Sequence, residues 1–204
     1  TQAFARAMKM HTGSSPSQLR ADPEHRDQLA RHLADAALAG SPTPALKIRI
    51  TSTAPLRLVA IRNVGDYREL NRGYAQLFEH VLAVAPSEAI VGLYGVPHDD
   101  PRDVAAEACR FDCALLLSPA LTIEHGLPTL ELDGGCHLAL EHTGDYDRIH
   151  VAIDALYQQA IDHNHEIGEG PLHIEYLDDP EQVAESALRA VAYLPIKAAS
   201  GTTR

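Results

Sequence analysis

The chain has 204 residues, of which 45% are hydrophobic, and a formal net charge of −11. Its length suits one medium domain, or two small halves that share a core. No apolar run approaches the roughly 18 residues needed to span a bilayer, and no signal-peptide pattern is present. Three cysteines without a paired framework are typical of a reducing compartment. We therefore expect a soluble, cytoplasmic protein without a membrane partner.

The charge is unevenly distributed along the chain. Residues 1–20 contain Arg6, Lys9 and Arg20 but no acidic residue, which leaves −14 for residues 21–204. An acidic body repels a nucleic-acid backbone and attracts cations. The basic start and the acidic remainder should therefore have different partners.

Residues 1–38 are predicted to be mainly helical. Apolar residues at helical spacing predict a helix that stops at Gly13, and Ser15 followed by Pro16 is a typical start of a second helix. An amphipathic helix follows over residues 24–39. Because no initiating Met and no earlier helix is present for packing, we expect the chain to be a fragment cut at its start.

A linker separates this region from the rest of the chain. The stretch "AGSPTPA" at residues 39–45 contains Gly, Ser and two prolines, which prevent a continued helix. We therefore predict a second domain at residues 46–197 and a flexible tail at residues 198–204.

The second domain contains a tandem duplication. A shift of 79 positions places the "GDY" of Gly65–Tyr67 on that of Gly144–Tyr146, and the "DDP" of Asp99–Pro101 on that of Asp178–Pro180. No insertion interrupts the offset as far as Leu115. Chance is a poor explanation for such a constant spacing, so we interpret the domain as two copies of one unit.

Each copy predicts the element order strand–helix–strand–strand. The stretches "IRITSTAPLRLVAIRNVG" and "TLELDGGCHLALEHTG" are typical of strands that end at a glycine. An apolar pattern at helical spacing follows each GDY, and the closing stretches "CRFDCALLLSP" and "LRAVAYLPI" are apolar enough for buried strands. Two such units predict an α+β fold in which two helices pack on an antiparallel sheet.

Residues 46–197 resemble the GyrI-like effector-binding domain, the small-molecule-sensing module of many bacterial regulators. The stretches that carry the resemblance are "RNVGDYREL", "CRFDCALLL", "LALEHTGDYDRI" and "PLHIEYLDDPEQ…VAYLPIK". The resemblance implies two strand–helix–strand–strand units, in agreement with the repeat. It also implies multidrug sensing, with bulky and often cationic, aromatic effectors bound in a cleft between the units.

The N-terminal region resembles the end of an AraC-type helix-turn-helix region. The matching residues are Phe4, Arg6, Lys9, Gly13, Pro16 and Arg20, whereas Met8 and Leu19 replace the usual aromatic residues. This resemblance implies a transcriptional regulator that contacts DNA through residues such as Arg6 and Lys9. Most of that region is missing, so the fragment alone should bind DNA poorly. The oligomeric state is left open, with a homodimer among the options.

The family resemblance implies a carboxylate at the floor of the cleft, and Glu175 in "HIEYL" occupies the matching position. Strand alternation places Glu175 on one face with His173 and Leu177. A buried glutamate is costly unless it is paired, and a bound cation can relieve that cost. The alternative, an exposed strand residue, stays open, as does core packing for each aromatic candidate. The complete predicted ligand-binding set is Glu175, Tyr193, Tyr67, Tyr94 and Phe111.

The sequence predicts no cofactor, no metal site and no catalytic residue. The "HNHE" of His163–Glu166 has ligand-like spacing, but a third or fourth ligand is not in evidence. The favoured function is a non-enzymatic sensor of a small molecule. One alternative is a hydrolase of small electrophilic compounds, in which Glu175 acts with Tyr193 or Tyr67. Another is a stand-alone inhibitor that binds a protein.

Overall fold

The computed structural model describes residues 47–119 and 126–198, and these form a mixed α+β fold as predicted. Within them, two helices pack on one antiparallel sheet of eight strands. The elements are β1 (Ile48–Thr53), β2 (Leu56–Val64), α1 (Leu70–Leu82), β3 (Ile90–Pro97), β4 (Arg110–Leu117), β5 (Thr129–Leu132), β6 (Gly135–Thr143), α2 (Ile149–Asp162), β7 (His173–Tyr176) and β8 (Arg189–Pro195). The helices predicted before residue 40 and the linker lie outside the described residues. None of the described helices is long and apolar enough to cross a membrane.

The predicted duplication is visible in the order of the strands. Elements β2, α1, β3 and β4 form the first unit, and β6, α2, β7 and β8 form the second. The sheet order is β1-β6-β8-β7-β3-β4-β2-β5, so equivalent strands of the two copies occupy equivalent places from either end. The registers agree as well, because Leu58 pairs with Leu116 in one copy and His137 with Pro195 in the other. The units meet where β3 pairs with β7.

Strands β1 and β5 are exchanged between the two units. β1 precedes the first unit in the chain but pairs with β6 of the second, and β5 precedes the second unit but pairs with β2 of the first. Thr53 lies opposite Gly135 in one pair, and its equivalent Leu132 lies opposite Leu56 in the other. The exchange ties each unit to the other by a full strand pairing.

Two short connections force the sheet to curve. In the sheet order, β5 and β6 are six strand spacings apart, which is about 29 Å in a flat sheet. The chain from Leu132 to Gly135 spans at most about 11 Å, and so does the equivalent chain from Thr53 to Leu56. The sheet therefore bends until its two ends approach each other. Leu132 of β5 and the distant His137 and His173 line one depression, so the helix-free face is the concave one.

The other face of the sheet carries the two helices and most of the apolar core. Leu77 of α1 and Leu156 of α2 are equivalent under the repeat, and both are completely buried. Burial of a leucine side chain contributes roughly 1.5–3 kcal/mol, so each helix is held to its half of the sheet chiefly by its apolar face. The residues buried beside them are Gly73 and Val81 in α1, and Ala152 and Ala160 in α2.

The GDY motif of each unit forms the turn between the end of a strand and the start of a helix. Gly65 and Gly144 end β2 and β6 at φ values of +148° and +118°, which glycine adopts without strain. The Asp66 carboxylate accepts a hydrogen bond from the backbone N–H of Arg68, and Asp145 accepts one from Asp147. Both aspartates therefore cap the short helical turn that precedes each helix.

Candidate functional site

Three of the predicted ligand-binding residues meet on the concave face of the sheet. Tyr94 of β3 lies directly opposite Glu175 of β7, at the strand pair that joins the two units. On β8, Tyr193 lies opposite His173, two residues from Glu175 on the same face. Strand alternation and register thus bring Tyr94, Glu175 and Tyr193 together from three adjacent strands.

The carboxylate of Glu175 accepts a hydrogen bond from each of the two tyrosines. The hydroxyl of Tyr94 donates to Oε1 at 3.1 Å, and the hydroxyl of Tyr193 donates to Oε2 at 2.9 Å. Tyr94 is 5% exposed, whereas Glu175 and Tyr193 are half-buried. Burial, and then the negative charge of Glu175, raise the pKa of Tyr193 to about 12 and raise the pKa of Tyr94 as well. Both phenols therefore remain protonated donors at neutral pH.

Small side chains surround this carboxylate on the concave face. Ala114 lies beside Tyr94 on β4, and Ala139 lies beside Tyr193 on β6. Val191 is the cross-strand neighbour of Glu175 on β8. An alanine side chain ends at Cβ, so these positions form a low floor between the larger tyrosines. Ala114 and Ala139 are completely buried, so neighbouring side chains cover this floor in the structure.

Two buried histidines extend the site towards β6. The ring of His173 stacks on that of Tyr193, with centroids 5.0 Å apart and an interplanar angle of 15°, and the ring of His137 meets His173 edge-on at 5.4 Å. Each histidine is 3% exposed. Burial, and then the neighbouring His137, lower the pKa of His173 to about 4. His173 is therefore uncharged at neutral pH.

The structure does not bring Tyr67 and Phe111 together with Glu175. Both lie on the helix-covered face, in the core beneath α1, where their rings contact each other edge to face at 5.3 Å. The Tyr67 hydroxyl hydrogen-bonds the backbone carbonyls of Asp99 and Arg110 at 2.9 and 2.6 Å. These contacts occupy both residues in the core, so we leave them out of the candidate site.

Two predicted residues cannot be placed, and two site residues were not predicted. Arg6 and Lys9, predicted to contact DNA, lie outside the described residues. His173 shared a predicted face with Glu175, but neither His173 nor His137 was proposed as a site residue. The shift of 79 positions could have indicated His173, because it aligns His173 with Tyr94, which was a predicted site residue. Within residues 47–119 and 126–198, no group of three or more His, Cys, Asp or Glu side chains is placed to hold a metal ion.

The two copies of the unit differ in chemistry at the site. Under the repeat offset, Glu175 corresponds to Val96, Tyr193 to Ala114 and His137 to Leu58. The first copy therefore supplies a mainly apolar wall, with Leu58, Val96 and Tyr94 in one cluster. The second copy supplies the carboxylate, one of its tyrosines and both histidines. The concave face combines an apolar half with a polar half, as a site for an amphiphilic ligand requires.

A comparison against protein families identifies the domain that carries the duplicated sheet. Residues 46–197 match the family described as the GyrI-like small molecule binding domain. The chain belongs to this family.

A curated relative is the probable transcriptional regulator YgiV of Escherichia coli. The two chains are 30% identical over 105 residues, which make up 50% of this chain and 66% of YgiV. The chain thus spans slightly less than two thirds of the length of this relative.

Solved structures share the fold at low sequence identity. The C-terminal domain of EcmrR has a TM-score of 0.64 and 12% identity, over 76% of this chain and 99% of that one. EcmrR in a complex with DNA has a TM-score of 0.64 and 11% identity, over 96% of this chain and 77% of that one. A hydrolase from Listeria innocua has a TM-score of 0.53 and 12% identity, over 76% and 94%. These likenesses establish the fold alone.

Proposed function

We propose that residues 46–197 are the ligand-sensing domain of a bacterial AraC-type transcriptional regulator, and that Glu175 binds a small cationic, amphiphilic effector between the two units. The observation that carries this proposal is the Glu175 carboxylate, held by the hydroxyls of Tyr94 and Tyr193 on the concave face. Each carboxylate oxygen accepts one hydroxyl and keeps lone-pair capacity for a ligand. The site is therefore oriented in advance and still able to accept a cation.

The surroundings of Glu175 favour a cation with an apolar body. A cation placed over a tyrosine ring gains roughly 0.5–2 kcal/mol from cation–π attraction, and two rings flank this carboxylate. The cluster around Val96 makes the surroundings of this site predominantly apolar. The net charge of −11 further favours approach of a positively charged molecule over an anionic one.

The proposed regulatory role comes from the N-terminal sequence and from the relatives. The AraC-type pattern in the first 20 residues contains Arg6 and Lys9, which we propose contact DNA in the intact regulator. YgiV is named a probable transcriptional regulator, and EcmrR is described in a complex with DNA. We further propose that the protein is a non-enzymatic sensor, and a homodimer is compatible with this role.

Calorimetric titration of the full 204-residue chain with n-octylamine, within a panel of cationic amphiphiles, tests the proposed site. We expect stoichiometric binding that Glu175→Gln weakens at least tenfold, because the substitution removes the charge and retains the shape. Tyr94→Phe and Tyr193→Phe should weaken binding less, since the carboxylate remains. Glu79→Gln, on the exposed surface of α1, is the matched control and should bind like the parent chain. Equal affinity of Glu175→Gln and the parent for every amphiphile would exclude Glu175 from the site.

A hydrolase is the second candidate, because a carboxylate in contact with a tyrosine hydroxyl can act as a base or a nucleophile. The name of the Listeria innocua structure is a reason to test this activity. We expect p-nitrophenyl acetate to give no turnover beyond the spontaneous rate. Multiple turnovers that disappear in Glu175→Gln would favour the hydrolase over the sensor.

A further inference from the structure

The concave face contains one buried histidine ring with a nitrogen that has no hydrogen-bond partner among the described residues. Asp112, His137 and His173 are the buried polar or charged side chains among the described residues. Asp112 is bound by Arg62 at 2.7 and 2.8 Å and by His98 at 2.8 Å. His173, in contrast, has a fully buried Nδ1 without a hydrogen-bond partner within residues 47–119 and 126–198. A buried polar group without a partner is uncommon and calls for an explanation such as a bound ligand.

The neighbouring His137 presents an acceptor on the same side. Its Nδ1 lies 3.0 Å from the carbonyl oxygen of Gly135 and 3.2 Å from Oγ1 of Thr53. Because a carbonyl only accepts, Nδ1 of His137 must bear a hydrogen, and in the neutral ring Nε2 is then the acceptor. The two imidazoles therefore offer at least two acceptor nitrogens next to each other, since neutral His173 also has one.

A depression at the end of the site adjoins both histidines. It is lined by Leu132, Asp133, His137, Glu169, His173 and Pro195, among others. Asp133 and Glu169 are exposed at its rim, and each brings a carboxylate. The side chains of this depression thus include two carboxylates and two imidazoles. A protonated amine, which has only N–H donors and a positive charge, matches such a lining.

The depression and Glu175 lie within reach of one elongated molecule. His173 and Glu175 are two residues apart on β7, or about 7 Å along the strand. The ring of His137 lies a further 5.4 Å from that of His173. A flexible chain of about eight carbons is long enough to join groups at these two places.

We infer that His137 and His173 form a second binding subsite, which takes a protonated primary or secondary amine, so that the effector is an elongated diamine with one cationic end at Glu175 and the other at the histidines. This inference depends on the proposed function, because it requires a cation at Glu175. It adds a class of ligand and two residues that bind it.

Three probes of equal chain length test the subsite in calorimetric titrations of the full chain. These are 1,8-diaminooctane, n-octylamine and the bis(trimethylammonium) analogue of the diamine, which has two charges but no N–H donor. We expect the diamine to bind at least tenfold more tightly than the other two. His173→Phe keeps a ring against Tyr193 and should reduce this preference below threefold without abolishing octylamine binding. His80→Phe, on the exposed face of α1, is the control and should retain the full preference.

The outcomes separate this inference from the proposed function. Octylamine binding that depends on Glu175, together with equal affinities for all three probes, would overturn the histidine subsite and leave the sensor intact. A preference for both dications over octylamine would assign the selectivity to the carboxylates Asp133 and Glu169, and would contradict the role of the histidines. Absence of binding by all three probes would overturn both proposals. Circular dichroism of each variant establishes that a lost preference does not come from unfolding.

Discussion

At the scale of single residues, the concave face contains groups whose properties are set by burial. Tyr193 and His173 stack on each other, and both are shifted towards their uncharged forms, Tyr193 by a raised pKa and His173 by a lowered one. The carboxylate of Glu175 is thus surrounded by neutral hydrogen-bonding groups. A cation that enters this region meets one attractive charge and several polarisable rings.

The shifted pKa of His173 predicts a specific dependence of stability on pH. The pKa is about 4 in the folded protein and about 6.5 in the unfolded chain, so the unfolded chain binds more protons between these values. Stability contributed by this residue is therefore complete above pH 6.5 and is lost as the pH falls towards 4. At pH 5 the loss should be about 2 kcal/mol, from roughly 1.5 pKa units at 1.36 kcal/mol each.

Urea denaturation of the parent chain and of His173→Phe at pH 7 and pH 5 measures this loss. Other titrating groups contribute equally to both proteins, so the difference between the two pH effects isolates His173. We expect the parent to lose about 2 kcal/mol more than the variant over this range. Parallel pH profiles would mean that His173 is accessible to protons in the folded state.

At the scale of elements, the repeated GDY and DDP motifs are joined by one tyrosine hydroxyl in each unit. Tyr146 hydrogen-bonds the carbonyls of Asp178 and Arg189 at 2.9 and 2.8 Å, just as Tyr67 bonds the equivalent carbonyls in the first unit. The loop carboxylate then pairs with the arginine that begins the last strand, as Asp178 does with Arg189 at 2.8 Å. The GDY and DDP motifs, which occur in both units, therefore form one hydrogen-bonded network. This network links the start of the helix to the last strand of the same unit.

Removal of either hydroxyl should destabilise the domain to a similar extent. We expect Tyr67→Phe and Tyr146→Phe each to lower the free energy of unfolding by about 1–2 kcal/mol, because backbone groups of the loop lose a partner. Tyr157→Phe is the matched control, since Tyr157 is 40% exposed on α2. Denaturation midpoints measure the effect, and a loss in only one unit would show that the two networks are not equivalent.

These elements also explain how far the sequence could predict the site. The strand–helix–strand–strand unit was predicted from local periodicity, and alternation was sufficient to associate Glu175 with the face that also contains His173. The sequence did not decide whether Tyr67 lies in the core or in the ligand site, because the direction of a side chain in the first helical turn depends on how the helix packs. Phe111 follows the same logic, since alternation separates Phe111 from Asp112 but does not indicate which of them faces the helix. That choice depends on where α1 packs, which is a property of the tertiary structure.

At the scale of the whole molecule, the exchange of β1 and β5 closes the sheet and creates the concave face. The sequence contained both strands but no signal for their partners, because a strand pairing across 92 residues, such as Ile48 with Leu140, has no local signature. The short connections "AP" and "DG" were compatible with simple hairpins. In the structure they instead cross between the two units, so that neither unit completes its sheet alone.

The crossing of these two connections depends on Gly134. A Cβ atom at this position would lie 2.6 Å from the backbone nitrogen of Pro55 and 2.7 Å from the carbonyl oxygen of Thr53. Both are backbone atoms that cannot move aside without displacing β1 or β2. We therefore expect Gly134→Ala to lower the free energy of unfolding by about 2–3 kcal/mol through overpacking.

Gly168→Ala provides the matched control for this substitution. Its added Cβ would meet the backbone of Pro195 and Ile196 at 3.4 Å, close to ordinary contact, so its cost should be much smaller. Because the crossing holds both ends of the curved sheet, Gly134→Ala should also weaken n-octylamine binding at Glu175, although the two residues lie on different elements. Urea denaturation and calorimetric titration of the two variants provide both measurements. Parent-like stability of Gly134→Ala would mean that the two connections can separate, and that closure of the sheet does not depend on their contact.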